Sequence, residues 1–117
     1  MQTNAYIDQI TESLRELNPY LVLLFGSYAY GTPHEDSDID LLVVTRDDFM
    51  PSSFDERSEI HLAISKKIRP IMQQIAVDLL VYTLPMYQKF IELNSSFAKE
   101  ITQKGIVLYE GYNKTVA

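Results

Sequence analysis

Tyr20 to Val44 reads YLVLLFGSYAYGTPHEDSDIDLLVV, and this stretch decides the fold. Its opening residues, Tyr20–Phe25, form an almost unbroken apolar run, the pattern of a strand covered on both faces. Gly26-Ser27 ends that run, Tyr28–Gly31 fits a turn of helix, and Thr32–Ser37 is a polar loop. Asp38–Val44 is a second strand, with carboxylates at its first and third positions. Residues i and i+2 of a strand point to one side, so Asp38 and Asp40 project together while Ile39 faces the other way. The link between the two strands is short but holds a helical turn, so their relative direction stays open.

Outward from this segment, the periodicity changes to that of helices. Upstream, Asn4 suits a helix N-cap, and Ile7, Ile10, Leu14 and Leu17 recur at helical spacing before Asn18-Pro19 stops the helix. Downstream, Thr45–Phe54 is a loop, and a helix is predicted from Asp55 or Glu56 to Met72, with Ile60, Ile64, Ile68 and Ile71 on one face. Pro70 should kink or end it. Ala76–Tyr82 is a third strand. A last helix is expected from Pro85 to Lys104 with a stripe of Met86, Phe90, Leu93, Phe97 and Ile101, which keeps its phase across the potential break Asn94-Ser95-Ser96. Gly105 is a plausible C′ residue, Ile106–Tyr109 a short fourth strand, and the last residues should fray. The order α-β-β-α-β-α-β is that of an α/β (α+β) fold, a small mixed sheet of about four strands flanked by helices, with residues 1–117 as a single domain.

Composition narrows the function. The 117 residues are 46% hydrophobic and 22% charged, a globular balance, and the net charge is −6. An acidic chain is poorly suited to direct nucleic-acid binding, which needs basic surface against phosphates. There are no cysteines, so disulfides, Cys-zinc sites and a thiol nucleophile are excluded. No apolar run approaches the ~20 residues that span a bilayer, and Met1–Asn4 lacks the features of a signal peptide, so no membrane partner and a cytoplasmic location are expected.

Asp38, Asp40 and Asp78 interrupt apolar strands, where an uncompensated carboxylate is costly. Three such groups close together would raise at least one pKa. A divalent cation relieves both problems, and hard oxygen ligands suit Mg2+ or Mn2+, completed by substrate phosphates. Gly26-Ser27 supplies the complementary half: glycine permits close backbone approach, and the amides of Ser27, Tyr28 and Ala29, with the Ser27 hydroxyl, would face an anion. Together these suit nucleotidyl transfer from a nucleoside triphosphate, with a divalent cation at the attacked phosphate. Taken singly, each feature has an ordinary explanation: a polar strand entrance for Asp38 and Asp40, a strand-ending turn for Gly26-Ser27, a strand-edge charge for Asp78. His34, Glu35 and Asp36 read as a solvated loop, His61 as a helix-surface residue, and Tyr28 and Tyr30 as packing against the sheet.

Gly26-Ser27, ten residues, then Asp38-Ile39-Asp40 resembles the signature of the DNA polymerase β-like nucleotidyltransferase superfamily, and GSYAYGTPHEDSDIDLLVV resembles its minimal nucleotidyltransferase (MNT) branch. The resemblance extends to the VDLLVY strand and the closing EITQKGIVLYE. It implies a nucleotidyltransferase fold, Asp38 and Asp40 as ligands of two metals, and Asp78 as the third carboxylate that helps deprotonate the acceptor. It also implies that Gly26 and Ser27 bind the β- and γ-phosphates. For function it implies an MNT-type antitoxin that transfers AMP from ATP to a tyrosine of a partner HEPN-domain toxin, in a hetero-oligomer. Where many relatives carry Arg soon after Gly-Ser, this chain has Tyr28-Ala29-Tyr30, so a cation must come from elsewhere (Lys66, Lys67 or Arg69) or the metals must suffice. Two other readings fit the same residues: an antitoxin that neutralises by complex formation with weak or no catalysis, and an aminoglycoside-type subunit acting on a small molecule.

Overall fold

The structure, a computed structural model, describes residues 4–33 and 37–111. The expectations for His34–Asp36, for Met1–Thr3 and for the end of the chain after Gly111 lie outside the described residues. Helix α1 spans Ala5–Arg15, and the Asn4 side chain accepts the Tyr6 amide at 2.7 Å as its cap. Its inner stripe is Ile7, Ile10 and Leu14; Leu17, expected to continue it, lies past the helix and is 45% exposed. Asn18 takes a left-handed turn (φ 46°) that redirects the chain before Pro19.

Strand β1 (Leu21–Phe25) is buried throughout. A single helical turn, α2 (Ser27–Tyr30), follows, and β2 covers Ile39–Val44, one residue shorter than expected. The long helix is divided. α3 runs Phe54–Lys67, capped by the Ser53 hydroxyl accepting the Glu56 amide, and α4 runs Arg69–Met72 with Pro70 in its first turn. Proline lacks the amide that would continue α3, so the chain restarts at Ile68. β3 is Val77–Tyr82 and β4 is Ile106–Glu110.

Between them the expected single helix is two, α5 (Leu84–Leu93) and α6 (Ser96–Lys104). Asn94 adopts the left-handed conformation (φ 48°) and Ser95 caps α6 by accepting the Ala98 amide at 3.1 Å. Asparagine tolerates that conformation and serine favours the cap, so the local chemistry overrides the continuous apolar phase. The phase error has a visible result: Leu93 is 70% exposed.

The sheet order is β3-β2-β1-β4. β1 is antiparallel to β2 and to β4, while β2 and β3 are parallel, joined by the α3–α4 crossover. Alternation sorts the central strands between two cores. Val22, Leu24, Ile39, Leu41, Val43 and Leu79 pack against α1, α3 and α4. Leu21, Leu23, Phe25, Leu42 and Val44 pack against α5 and α6. The molecule is thus a helix–sheet–helix sandwich, as the α/β expectation required, and both faces of β1 are covered because its neighbours on both sides are apolar. Among the described residues no helix is long and apolar enough to cross a membrane.

Candidate active site

The three acidic residues fall at one end of the sheet, on the face covered by α5 and α6. Asp40 and Asp78 are register partners across the parallel β2–β3 pair. Each has the parity of the residues on that face, Leu42 and Val44 in β2 and Leu80 and Tyr82 in β3. Asp38 sits one residue before β2 and two before Asp40. Asp38 and Asp78 are exposed and Asp40 is half-buried. Adjacent strands lie about 4.8 Å apart, so the ladder forces Asp40 and Asp78 together regardless of their charge. The Asp40 carboxyl is accordingly raised above the ordinary aspartate value, first by burial, then by the charge of Asp78, then by that of Asp38.

Gly26 closes the other side of Asp40. It follows Phe25, the register partner of Asp40 in the antiparallel β1–β2 pair. Its φ of 76° lies in the left-handed region, and a Cβ there would overlap Asp40 Oδ2. Only glycine lets the backbone turn that close to the carboxylate. Ser27 then opens α2, and Gly31 (φ 79°) closes it, with the Thr32 amide donating to the Ser27 carbonyl at 3.0 Å. The Ala29 and Tyr30 amides both donate to the Gly26 carbonyl at 3.0 Å. The expected anion-facing set of Ser27, Tyr28 and Ala29 is therefore corrected: the Ala29 amide is engaged within the turn, and Ser27 and Tyr28 carry the first-turn amides that have no partner inside the helix.

The donor set has the chemistry of a hard-cation site, three carboxylates whose mutual repulsion is relieved by positive charge. Among the described residues no group of three His, Cys, Asp or Glu side chains is already drawn into the spacing of a metal cage. Mg2+ does not need one, because it usually takes one or two carboxylates and completes its shell with phosphate oxygens and water.

Other residues weighed from sequence fall elsewhere. Lys66, Lys67 and Arg69 belong to α3 and α4, on the opposite face of the sheet, and Lys67 pairs with Glu16 at 2.5 Å. None of them supplies a cation to the carboxylate face. His61 reaches from α3 to the outer edge of β3, its Nε2 3.3 Å from the Leu79 carbonyl, so it caps a strand edge and is not simply a surface residue. Sequence reading missed the partners of Tyr30. Its hydroxyl donates to Glu100 Oε2 at 3.0 Å, and Lys104 Nζ lies 5.7 Å from its ring centroid. The local clue was the four-residue spacing of Glu100 and Lys104 on one helix face; nothing local links them to Tyr30.

Known proteins are similar to this chain in sequence and in fold. A family model of the nucleotidyltransferase domain matches residues 7–108. A Methanocaldococcus jannaschii protein named as a candidate protein adenylyltransferase is 30% identical over 88 residues, 75% of this chain and 76% of its own length. Among solved structures, a toxin–antitoxin complex with AMP-PNP superposes with a TM-score of 0.54 at 25% identity, over 93% of this chain and 75% of that one. A candidate nucleotidyltransferase from Sulfolobus solfataricus shares the fold alone, with a TM-score of 0.51 at 16% identity over 97% and 96% of the two chains. A strand–Gly-Ser turn set against paired aspartates and a match across nearly the whole sheet lead to one conclusion: the chain belongs to the nucleotidyltransferase domain family and is a nucleotidyltransferase.

Proposed function

We propose that the protein transfers AMP from ATP to a hydroxyl, a tyrosine of a partner HEPN toxin, and thereby acts as an antitoxin. The observation that carries this reading is the side-by-side register of Asp40 and Asp78, with Asp38 two residues before Asp40 and the Gly26 turn packed against Asp40. The M. jannaschii relative bears the name of a protein adenylyltransferase, and the toxin–antitoxin neighbour was solved with an ATP analogue. The HEPN partner follows from the MNT-type signature at Gly26–Val44.

Asp38 and Asp40 would hold Mg2+ (or Mn2+), with Asp78 completing the set. When bound, the cation supplies charge neutralisation at the attacked phosphate and acidifies the incoming hydroxyl. The protein's own groups do the rest. The Ser27 hydroxyl and the first-turn amides of Ser27 and Tyr28 bind the β- and γ-phosphates, while Gly26 lets them approach. Asp78, exposed at the edge strand, accepts the acceptor's proton. The oxygen of the tyrosine forms the new bond to the α-phosphorus, the bond to the β-phosphate breaks, and pyrophosphate leaves. In this reading the acceptor tyrosine is presented by the partner.

The test is transfer itself. With a HEPN toxin, ATP and Mg2+, mass spectrometry should find AMP on a toxin tyrosine. The Asp38→Asn/Asp40→Asn double variant should lose transfer by at least about a hundredfold. Absence of AMP on the toxin in a complex that demonstrably forms, or full protection of cells by the double variant, would favour neutralisation by contact alone.

A further inference from the structure

We infer that Lys104 is a phosphate-binding residue, its ammonium carried to the Gly26-Ser27 turn by the Tyr30 ring to meet the β- and γ-phosphates. This rests on the proposed use of a nucleoside triphosphate. The turn itself, residues 26–33, reads GSYAYGTP and contains neither Lys nor Arg. A triphosphate brings about four negative charges to a site that already holds three carboxylates; the divalent cation proposed at those carboxylates offsets part of this, and hydrogen bonds to neutral donors balance little of the rest at the β- and γ-phosphates.

The strand register brings Lys104 to the place where a cation is missing. The last pair of the β1–β4 ladder at this end is Leu24 with Ile106. One residue further along each strand lie Phe25 and Gly105, and the next are Gly26 and Lys104. β1 has β2 on one side and β4 on the other, so Gly26 is flanked by Asp40 and by the α6–β4 junction. That junction is pressed onto β1: the Gly105 amide donates to the Ile101 carbonyl at 2.8 Å, and a Cβ on Gly105 would overlap the Leu23 side chain.

Tyr30 makes the second link. It belongs to α2, the turn opened by Ser27, and its hydroxyl is fixed on Glu100 at 3.0 Å. Lys104, one helical turn beyond Glu100, lies over the ring at 5.7 Å, a cation–π distance. Burial first, then the hydrogen bond and charge of Glu100 and the charge of Asp40, raise the Tyr30 phenol above its ordinary value, against a lowering by the Gly26 backbone. The long lysine stem is exposed and can extend from the ring to an incoming phosphate. A lysine that merely steadied the last carbonyls of α6 would have no dependence on nucleotide phosphates, and this difference is measurable.

Calorimetric titration of the wild-type protein, Lys104→Met and Lys104→Arg with Mg2+·AMP-PNP and with AMP separates the two. Lys104→Met should bind AMP-PNP about tenfold more weakly, and Lys104→Arg should recover most of the loss. AMP affinity should be unchanged, and melting temperatures should stay within about 2 °C. Tyr30→Leu should weaken AMP-PNP binding in the same direction, with no further loss when combined with Lys104→Met, whereas Tyr30→Phe retains the ring and the affinity. Equal AMP-PNP affinity in Lys104→Met, or an equal loss for AMP, overturns the assignment while leaving the nucleotidyltransferase reading intact. Failure of the wild-type protein to bind AMP-PNP overturns both.

Discussion

Asp40 stands where its charge is least favoured. Half-buried, beside Asp78 and two residues from Asp38, its carboxyl is raised above the ordinary value. A raised folded-state value penalises the ionised form in the fold. That penalty is absent below the unfolded-state pKa of about 4, and is fully present once the pH exceeds the raised value. Asp40→Asn should therefore melt higher than wild type at pH 7, with the difference shrinking as the pH falls toward 4, while transfer is lost. Thermal melts of the two proteins across that range check the sign; a variant that melts lower at pH 7 would mean the carboxylate is stabilised by its surroundings. Gly26→Ala acts on the same pair from the other side. Its Cβ would meet the Asp40 carboxylate and its φ is positive, so a loss of about 1–3 kcal/mol in urea unfolding is expected, together with loss of transfer. Both aspartates of the DxD pair and the glycine were legible in the sequence because parity and turn chemistry are local rules. Lys104 was not, since its role depends on a strand register and on a tyrosine far away in the chain.

The elements show the same division between local and distant causes. β1 and β2 are apolar runs bounded by glycine, proline and acidic residues, and they appear within a residue of where the sequence put them. Helix α1 also follows its stripe, except that Leu17 belongs to the turn beyond it. The α5–α6 break was open to two readings: Asn94 and Ser95 are good cap residues, while the apolar stripe argued for continuity. The caps prevailed because Asn94 takes the left-handed conformation and the Ser95 hydroxyl accepts the Ala98 amide, and both α5 and α6 still place side chains, Phe90 and Ile101, in one core. What no periodicity encodes is strand order and direction. That β2 and β3 run parallel, and so bring Asp78 level with Asp40, follows from the α3–α4 crossover. The entry to α5 is a sensitive point of this layer. Thr83 is fully buried and its hydroxyl accepts the Met86 amide at 3.4 Å, so Thr83→Ala should cost about 1–2 kcal/mol, measured by chemical denaturation, with nucleotide binding retained.

At the scale of the molecule, Asp40 is borne by one of the two middle strands, while Asp78 lies on the edge strand β3 and Asp38 just before β2. β1 and β2 are paired along their whole length, apolar on both sides and sandwiched between helices, while β3 and β4 form the margins. Backbone amides in such a pair are released to solvent only when the whole structure opens. Deuterium uptake should thus be slowest at Leu23, Leu24, Leu41 and Leu42, and the Asp40 end of the ladder should share that protection. Any loss of transfer on heating that runs ahead of the global unfolding curve should then come from the edge strand that carries Asp78. A carboxylate anchored in the last part of a protein to loosen stays correctly aligned for as long as the protein remains folded.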